Sequence, residues 1–259
     1  MRFLYALFAA LGLVLSGIAG AAEDPPAIAA AADLKFALDE VAAKFRAETG
    51  QDVRLVFGSS GNFARQIEQG APFQMFLSAD EGFVERLVRN GLTRDAGALY
   101  AVGRIVLFAP HGSPLHADEG LAGLRAALAA GRIRRFAIAN PEHAPYGRAA
   151  MQALQAEGLW DAIRPVLALG ENVSQAAQFA ASGAAQGGIF AYALALSPEV
   201  SKLGRFALIP AERHAPLRQR MVLLKQAGAT AQAFYAFVQT RPAREIFIRY
   251  GFALPGEGS

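Results

Sequence analysis

Small polar residues collect at the points where this chain turns from apolar runs into helical periodicity. They are Asp33; Gly58-Ser59-Ser60-Gly61-Asn62; Asn140 to Gly147, with His143, Pro145 and Tyr146; and Glu171-Asn172-Val173-Ser174. A helix start leaves backbone N–H groups unpaired and carries about half a positive charge. Several such starts converging make an anion site with no formal cation. Serine hydroxyls add donors that rotate to suit the ligand. Singly, each cluster is ordinary capping and turn chemistry. Their repetition in both halves of the chain is what points to binding.

Nucleophilic chemistry is the competing possibility, a secreted serine hydrolase using Ser59 or Ser60 with His143 as base. The pattern around the serines works against it. Asn62 stands where a G-x-S-x-G elbow needs its last glycine. His111, His116, His143 and His214 show no metal-ligand spacing. With no cysteine at all, the chain has neither a disulfide scaffold nor a thiol nucleophile. Arg132, Arg134 and Arg135 form a short basic run without interleaved aromatics, a solvated edge rather than a nucleic-acid surface.

The elements that must hold these residues alternate. Strands are predicted over 28–32, 52–58 and 74–78, with helices over 33–49, 61–70 and from a Ser78-Ala79-Asp80-Glu81 capping box to Gly91. That order gives a parallel sheet with crossover helices. A long apolar strand over 103–110 breaks it, and a second set follows. Its strands are 135–141, 166–170, 187–193 and 206–210, with helices at 147–157 and 174–182. The strand over 218–225 is placed to return to the first half, and helices near 229–239 and 242–250 close the chain. The expectation is an α/β protein of two lobes, each a mostly parallel sheet flanked by helices, with two hinge crossings. Lobe 1 takes residues 23–104 and 212–259, and lobe 2 takes 105–211. Ligands of such sheets sit at the carboxyl ends of strands.

The chain has 259 residues, 53% hydrophobic and 18% charged, enough to bury a substantial core. A net charge of +3 is too small and too dispersed for a nucleic-acid binder. Arg2, the apolar run over 3–18 and Ala19-Gly20-Ala21 (or Gly20-Ala21-Ala22) read as a secretory signal peptide over 1–22. No other segment is apolar enough to span a bilayer. A free exported protein is expected, with no membrane insertion after signal removal, in a compartment without ATP.

The stretches AAADL, FGSSGNFARQIEQGAPFQMFLSAD, GRIVLFAP, NPEHAPYG, GENV and EIFIRYGF together cover about residues 28–254. In them the chain resembles the periplasmic molybdate-binding proteins of ABC importers. The resemblance implies a type II periplasmic-binding-protein fold that binds molybdate, and tungstate with it, in a hinged cleft and delivers it to an ABC permease. It implies no enzyme and no cofactor, the oxyanion being cargo, and a place in the periplasm; the sequence gives no sign of stable self-association, so a monomer is expected. Carried over by position, the ligand contacts fall on Asp33, Ser60, Tyr146 and the backbone of Val173. A fifth falls at Ala191, with Tyr192 beside it as the tyrosine. Asp33 departs from the neutral residue expected there. A carboxylate about 4 Å from a dianion repels it by several kcal/mol at an effective dielectric near 20. Protonation of Asp33, neutralisation by Lys35 or Arg65, or a different oxyanion or small organic acid as cargo would each resolve the conflict.

Overall fold

Strand β1 (Ala27–Ala31) is wholly buried and made almost entirely of alanine. Successive side chains of a strand point to opposite faces. Ile28 and Ala30 therefore join one apolar cluster, and Ala27 and Ala29 join another across the sheet. Burial on both faces is why the strand reads as an unbroken apolar run rather than an alternation. The structure, a computed structural model, describes residues 24–256.

The strands that follow are β2 (Arg54–Gly58), β3 (Met75–Ser78), β4 (Ala98–Gly103), β5 (Ile105–Pro110), β6 (Phe136–Ala139), β7 (Leu167–Gly170), β8 (Gly188–Ala191), β9 (Gly204–Leu208) and β10 (Leu217–Leu223). They form two five-stranded sheets, β2-β1-β3-β10-β4 and β7-β6-β8-β5-β9. Both sheets are mixed and mostly parallel as the alternation predicts: four strands of each run one way and one runs against them. β10 runs antiparallel to β3 and β4, and β5 runs antiparallel to β8 and β9. The reason is topological: the strands that cross between the halves arrive without a crossover helix, so nothing forces them parallel. The chain passes between the sheets from β4 to β5 through Arg104 alone, and again between β9 and β10.

The helices are α1 (Lys35–Thr49), α2 (Ser60–Glu68), α3 (Glu81–Arg89), α4 (Ala122–Ala129), α5 (Pro145–Ala156), α6 (Trp160–Ile163), α7 (Val173–Ala181), α8 (Tyr192–Ala195), α9 (Pro198–Ser201), α10 (Ala229–Val238) and α11 (Arg241–Arg249). A 3-10 turn, Ala32–Leu34, leads directly into α1. α1 buries Ala37, Leu38, Val41 and Phe45 on one face. It ends where Gly50 takes φ 70° and its N–H bonds Arg46 O, a left-handed stop that suits glycine. Phe45 meets Phe234 and Phe237 of α10 edge-on, which closes the helical layer on that side of the first sheet.

Five elements escape the sequence pattern: β4, α4 and the single-turn helices α6, α8 and α9, the second of which begins at Tyr192 where a strand over 187–193 is predicted. β4 lies in a stretch bounded by glycines, and its pairing with β10 is interrupted by a bulge between Gln219 and Arg220. α4 begins at Leu121, a residue at φ 56° with no side-chain cap of its own. Asp118 instead reaches forward and accepts from the N–H groups of Ala122 and Gly123 at 2.9 and 2.7 Å. The expected capping box of α3 is also corrected. Asp80 is the N-cap, accepting from Gly82 N, whereas Ser78 Oγ donates to Asp80 O. Asp80 has the extended backbone of a cap, and Ser78 is still the last residue of β3.

Candidate functional site

Four helix starts meet at one small pocket between the two sheets. Its walls are Ala31 to Asp33, Gly58 to Ser60, Ala79, Ala144 to Tyr146 and Val173, and its volume is about 10 Å³. Each group stands just past the carboxyl end of a strand: β1, β2, β3, β6 and β7. Close backbone approaches hold them there. A Cβ on Gly61 would lie 2.6 Å from His143 O, and one on Gly147 would lie 2.2 Å from Ala139 O. Glycine at those two positions lets α2 touch the loop after β6, and lets α5 seat on the end of β6.

The donors on this wall are oriented. Ser60 Oγ accepts from Ala79 N at 3.0 Å, which turns the hydroxyl proton away from Ala79. Among the described residues no hydrogen bond uses that proton. Pro145 occupies the first turn of α5, where its missing N–H costs nothing. Val173 opens α7 behind its N-cap Asn172, whose side chain accepts from Gln175 N. Ser174 Oγ donates to Ala32 O at 2.7 Å and ties the start of α7 to the end of β1.

Asp33 sits at the centre of a buried polar chain. Tyr146 OH and Gln219 Nε2 both donate to its Oδ2, at 3.0 and 2.6 Å. Gln219 Nε2 also donates to Tyr146 OH at 3.0 Å, and Tyr100 OH donates to Gln219 Oε1 at 2.7 Å. The other oxygen, Asp33 Oδ1, is buried without a partner. Burial raises the Asp33 carboxyl to about 6 against the downward pull of the Gln219 and Tyr146 bonds. Burial, and then the neighbouring Asp33 charge, push the Tyr100 and Tyr146 hydroxyls well above their ordinary range, so both remain donors. A Cβ on Gly103 would lie 2.1 Å from Tyr146 OH, so the network needs glycine there.

Of the residues singled out in the sequence, Asp33, Ser60, Tyr146 and Val173 line the pocket together, with Ser59 beside them. Tyr192 does not. It opens α8, and its ring packs on Phe206 with centroids 5.9 Å apart and against Gly251, because the first residue of that helix faces the second sheet's edge and the chain's end. Ala191 is buried but off the pocket wall. Neither proposed counter-cation reaches Asp33. Lys35 pairs with Asp39 and lies over Phe57, and Arg65 bonds Asn62.

Sequence reasoning overlooked Gln219, Tyr100 and Gly103. Gln219 did carry a signal: period two puts it on the face of Leu217 and Met221, where a polar residue must find partners. Tyr100 carried none, because it is the unopposed residue of the β4 bulge.

Ser59 and His143 do meet, Oγ to Nδ1 at 2.9 Å, with His143 Nε2 3.6 Å from Glu171 Oε2. The spacing resembles a serine–histidine–acid set, but the acid is 60% exposed and is shared with Asn62. Gly61 N donates to His143 O at 2.9 Å in the same place. These bonds join α2 of one half to the β6–α5 loop of the other as a clasp. A roomier cavity of about 480 Å³ opens beside the pocket, lined mainly by carbon from Phe36, Phe57, Ala177, Leu194, Val200 and Leu203. Among the described residues no group of acidic or histidine side chains could hold a metal ion.

Residues 27–253 match the family described as bacterial extracellular solute-binding protein. The chain is 37% identical to the molybdate-binding protein ModA of Rhodobacter capsulatus, over 94% of each chain. It is 34% identical to the molybdate-binding protein ModA of Escherichia coli K12, over 95% of each. The solved periplasmic molybdate-binding protein of Azotobacter vinelandii superposes with a TM-score of 0.80 at 31% identity, covering 89% of this chain and 99% of that one.

Proposed function

The chain belongs to the bacterial extracellular solute-binding proteins, together with those molybdate-binding relatives, and from that premise we propose that it binds molybdate between two lobes and presents it to an ABC permease. Tungstate, the same shape and charge, is the expected second cargo. The observation that supports this most directly is the convergence of four helix starts on a buried pocket with no cation in its wall. The relatives are named for binding, not for catalysis, and the Ser59–His143 pair is better used as a clasp.

The lobes are taken as residues 23–104 with 212–259, and 105–211. Ser60 offers its hydroxyl, Tyr146 and Val173 offer the N–H groups of their helix starts, and Asp33 closes the fourth side. Contacts from both lobes stabilise the closed form through interactions that the open form lacks. The permease then reads the closed shape. Donors fixed on helix starts select by size, since a smaller anion satisfies fewer of them at once. The protein acts as a monomer in the periplasm. The signal peptide over 1–22 lies outside the described residues. No helix among those described is long and apolar enough to cross a membrane.

Thermal unfolding of residues 23–259 with molybdate, tungstate, sulfate, phosphate and small carboxylates tests the cargo. A ligand at 100 times its Kd adds about 2.7 kcal/mol to the folded state. A shift with molybdate and tungstate but not sulfate is expected. Stabilisation by a carboxylate or phosphate alone would replace the cargo, and Asp33 is the observation that favours that second reading.

A further inference from the structure

Asp33 is the one formally charged residue on the pocket wall, and its sign is wrong for an anion. It is 1% exposed. The two side-chain donors that reach it, Tyr146 OH and Gln219 Nε2, go to Oδ2, and Oδ1 is buried with no hydrogen-bond partner. The donors are held by each other and by Tyr100, so they do not turn to serve Oδ1 as well.

No neighbouring cation compensates. Lys35 of α1 is paired with Asp39, and Arg65 of α2 is bonded to Asn62. Arg148 of α5 is paired with Asp80, and Arg218 and Arg220 of β10 both serve Glu81. His143 faces Ser59 and Glu171. The titratable groups beside Asp33 are Tyr100 from β4 and Tyr146 from α5, both kept neutral by burial. α7 brings the uncharged Val173 and Ser174, and Tyr192 of α8 turns to Phe206.

We infer that this site takes up its oxyanion together with one proton, held between Asp33 Oδ1 and a ligand oxygen. The inference rests on the oxyanion reading above and narrows it to anions with an oxygen placed to share a hydrogen bond with the Asp33 carboxyl. Without the proton, each unit of ligand charge at about 4 Å from the carboxylate weakens binding roughly a thousandfold at an effective dielectric near 20. With it, the same oxygen pair becomes a hydrogen bond. The proton comes from solvent and returns to it on release. Whether Asp33 donates to the anion or a hydrogen oxyanion donates to Asp33, the proton count is the same, and linkage reads only the count. Burial has already moved the Asp33 carboxyl close to the pH at which this proton is available.

Calorimetric titration with molybdate at pH 7.5, in HEPES and in Tris, measures the protons taken up from the difference in buffer ionisation heat. Uptake near one proton per molybdate is expected in the wild-type protein. Its Kd should rise about tenfold for each pH unit between 7 and 8.5. Asp33→Asn should bind with buffer-independent heat and a flat pH profile, and more tightly than wild type at pH 8.5. Asp33→Ser is the second variant, with the same expectation. The buffer comparison on wild type stands alone if neither variant folds. Molybdate binding with no proton uptake and no pH dependence would overturn the proton inference and leave the oxyanion function standing. Absence of molybdate binding by wild type and both variants at every pH would sink the oxyanion reading and this inference with it.

Discussion

Asp33 destabilises the ligand-free protein at neutral pH, and the sign can be worked out. Its folded-state value, about 6, lies above the unfolded 3.8. The native state therefore binds the extra proton between those two values, and stability rises as pH falls through 6 toward 4. The displacement corresponds to on the order of 3 kcal/mol over that window. Chemical denaturation of wild type and Asp33→Asn between pH 7.5 and 4.5 checks this. Wild type should gain relative to the variant as pH drops, and parallel pH profiles for the two proteins would refute it. Gln219 shows the same logic from the donor side. It satisfies Tyr100, Tyr146 and Asp33 at once, which is why a glutamine sits fully buried in a strand that is otherwise apolar on that face.

Elements matter here mainly through how they start. α3 is capped by Asp80, which also receives Arg148 from α5, so one carboxylate joins a helix start of the first sheet to a helix of the second. Asp80→Ala should cost about 1 kcal/mol through the lost cap. Asp80→Asn keeps an acceptor for Gly82 N and loses only a partly exposed ion pair, worth about 0–1 kcal/mol. Urea unfolding of both variants separates the two roles, and equal losses would mean the cap carries no weight. Gly103 is the strand-end counterpart. Gly103→Ala forces Tyr146 OH off its place against Asp33 and Gln219. The expected cost is about 1–3 kcal/mol by overpacking, with weaker molybdate binding in the same titration.

The two halves are joined by polar contacts as well as by apolar packing of Ala31, Ala32 and Ala79 against the second core. Ser59 and Gly61 bond His143, Asn62 bonds Glu171, Arg148 pairs with Asp80, and Ser174 ties to Ala32. Such contacts form and break at modest cost, which suits the cleft opening proposed above. His143→Ala removes the side-chain part of the clasp. It should lower the closed population by about 0.5–1.5 kcal/mol, a roughly two- to tenfold weaker molybdate Kd. Small-angle scattering of the ligand-free variant should show a larger radius of gyration. An unchanged radius together with an unchanged Kd would show that the clasp does not govern closure.

Strand and helix types were legible in the residues because burial on both faces of β1 and β5, and helix stops such as Gly50, are local properties of the chain. So were the helix starts that carry Asp33, Ser60, Tyr146 and Val173, since each follows a strand and opens a periodic run. β4 and α4 were not, because a bulge and a cap supplied by Asp118 from outside the helix leave no period to read. Nor was the direction of the crossing strands, which is set by pairing with segments distant in sequence. The partners of Asp33 belong to the tertiary structure alone. Tyr100, Tyr146 and Gln219 come from three separate elements, and only strand pairing in the first sheet and the approach of α5 bring them into one network with the carboxylate. Sequence spacing fixes what each segment offers, but a carboxyl group's charge depends on how much water and how many donors surround it, and that is decided by the folded neighbours.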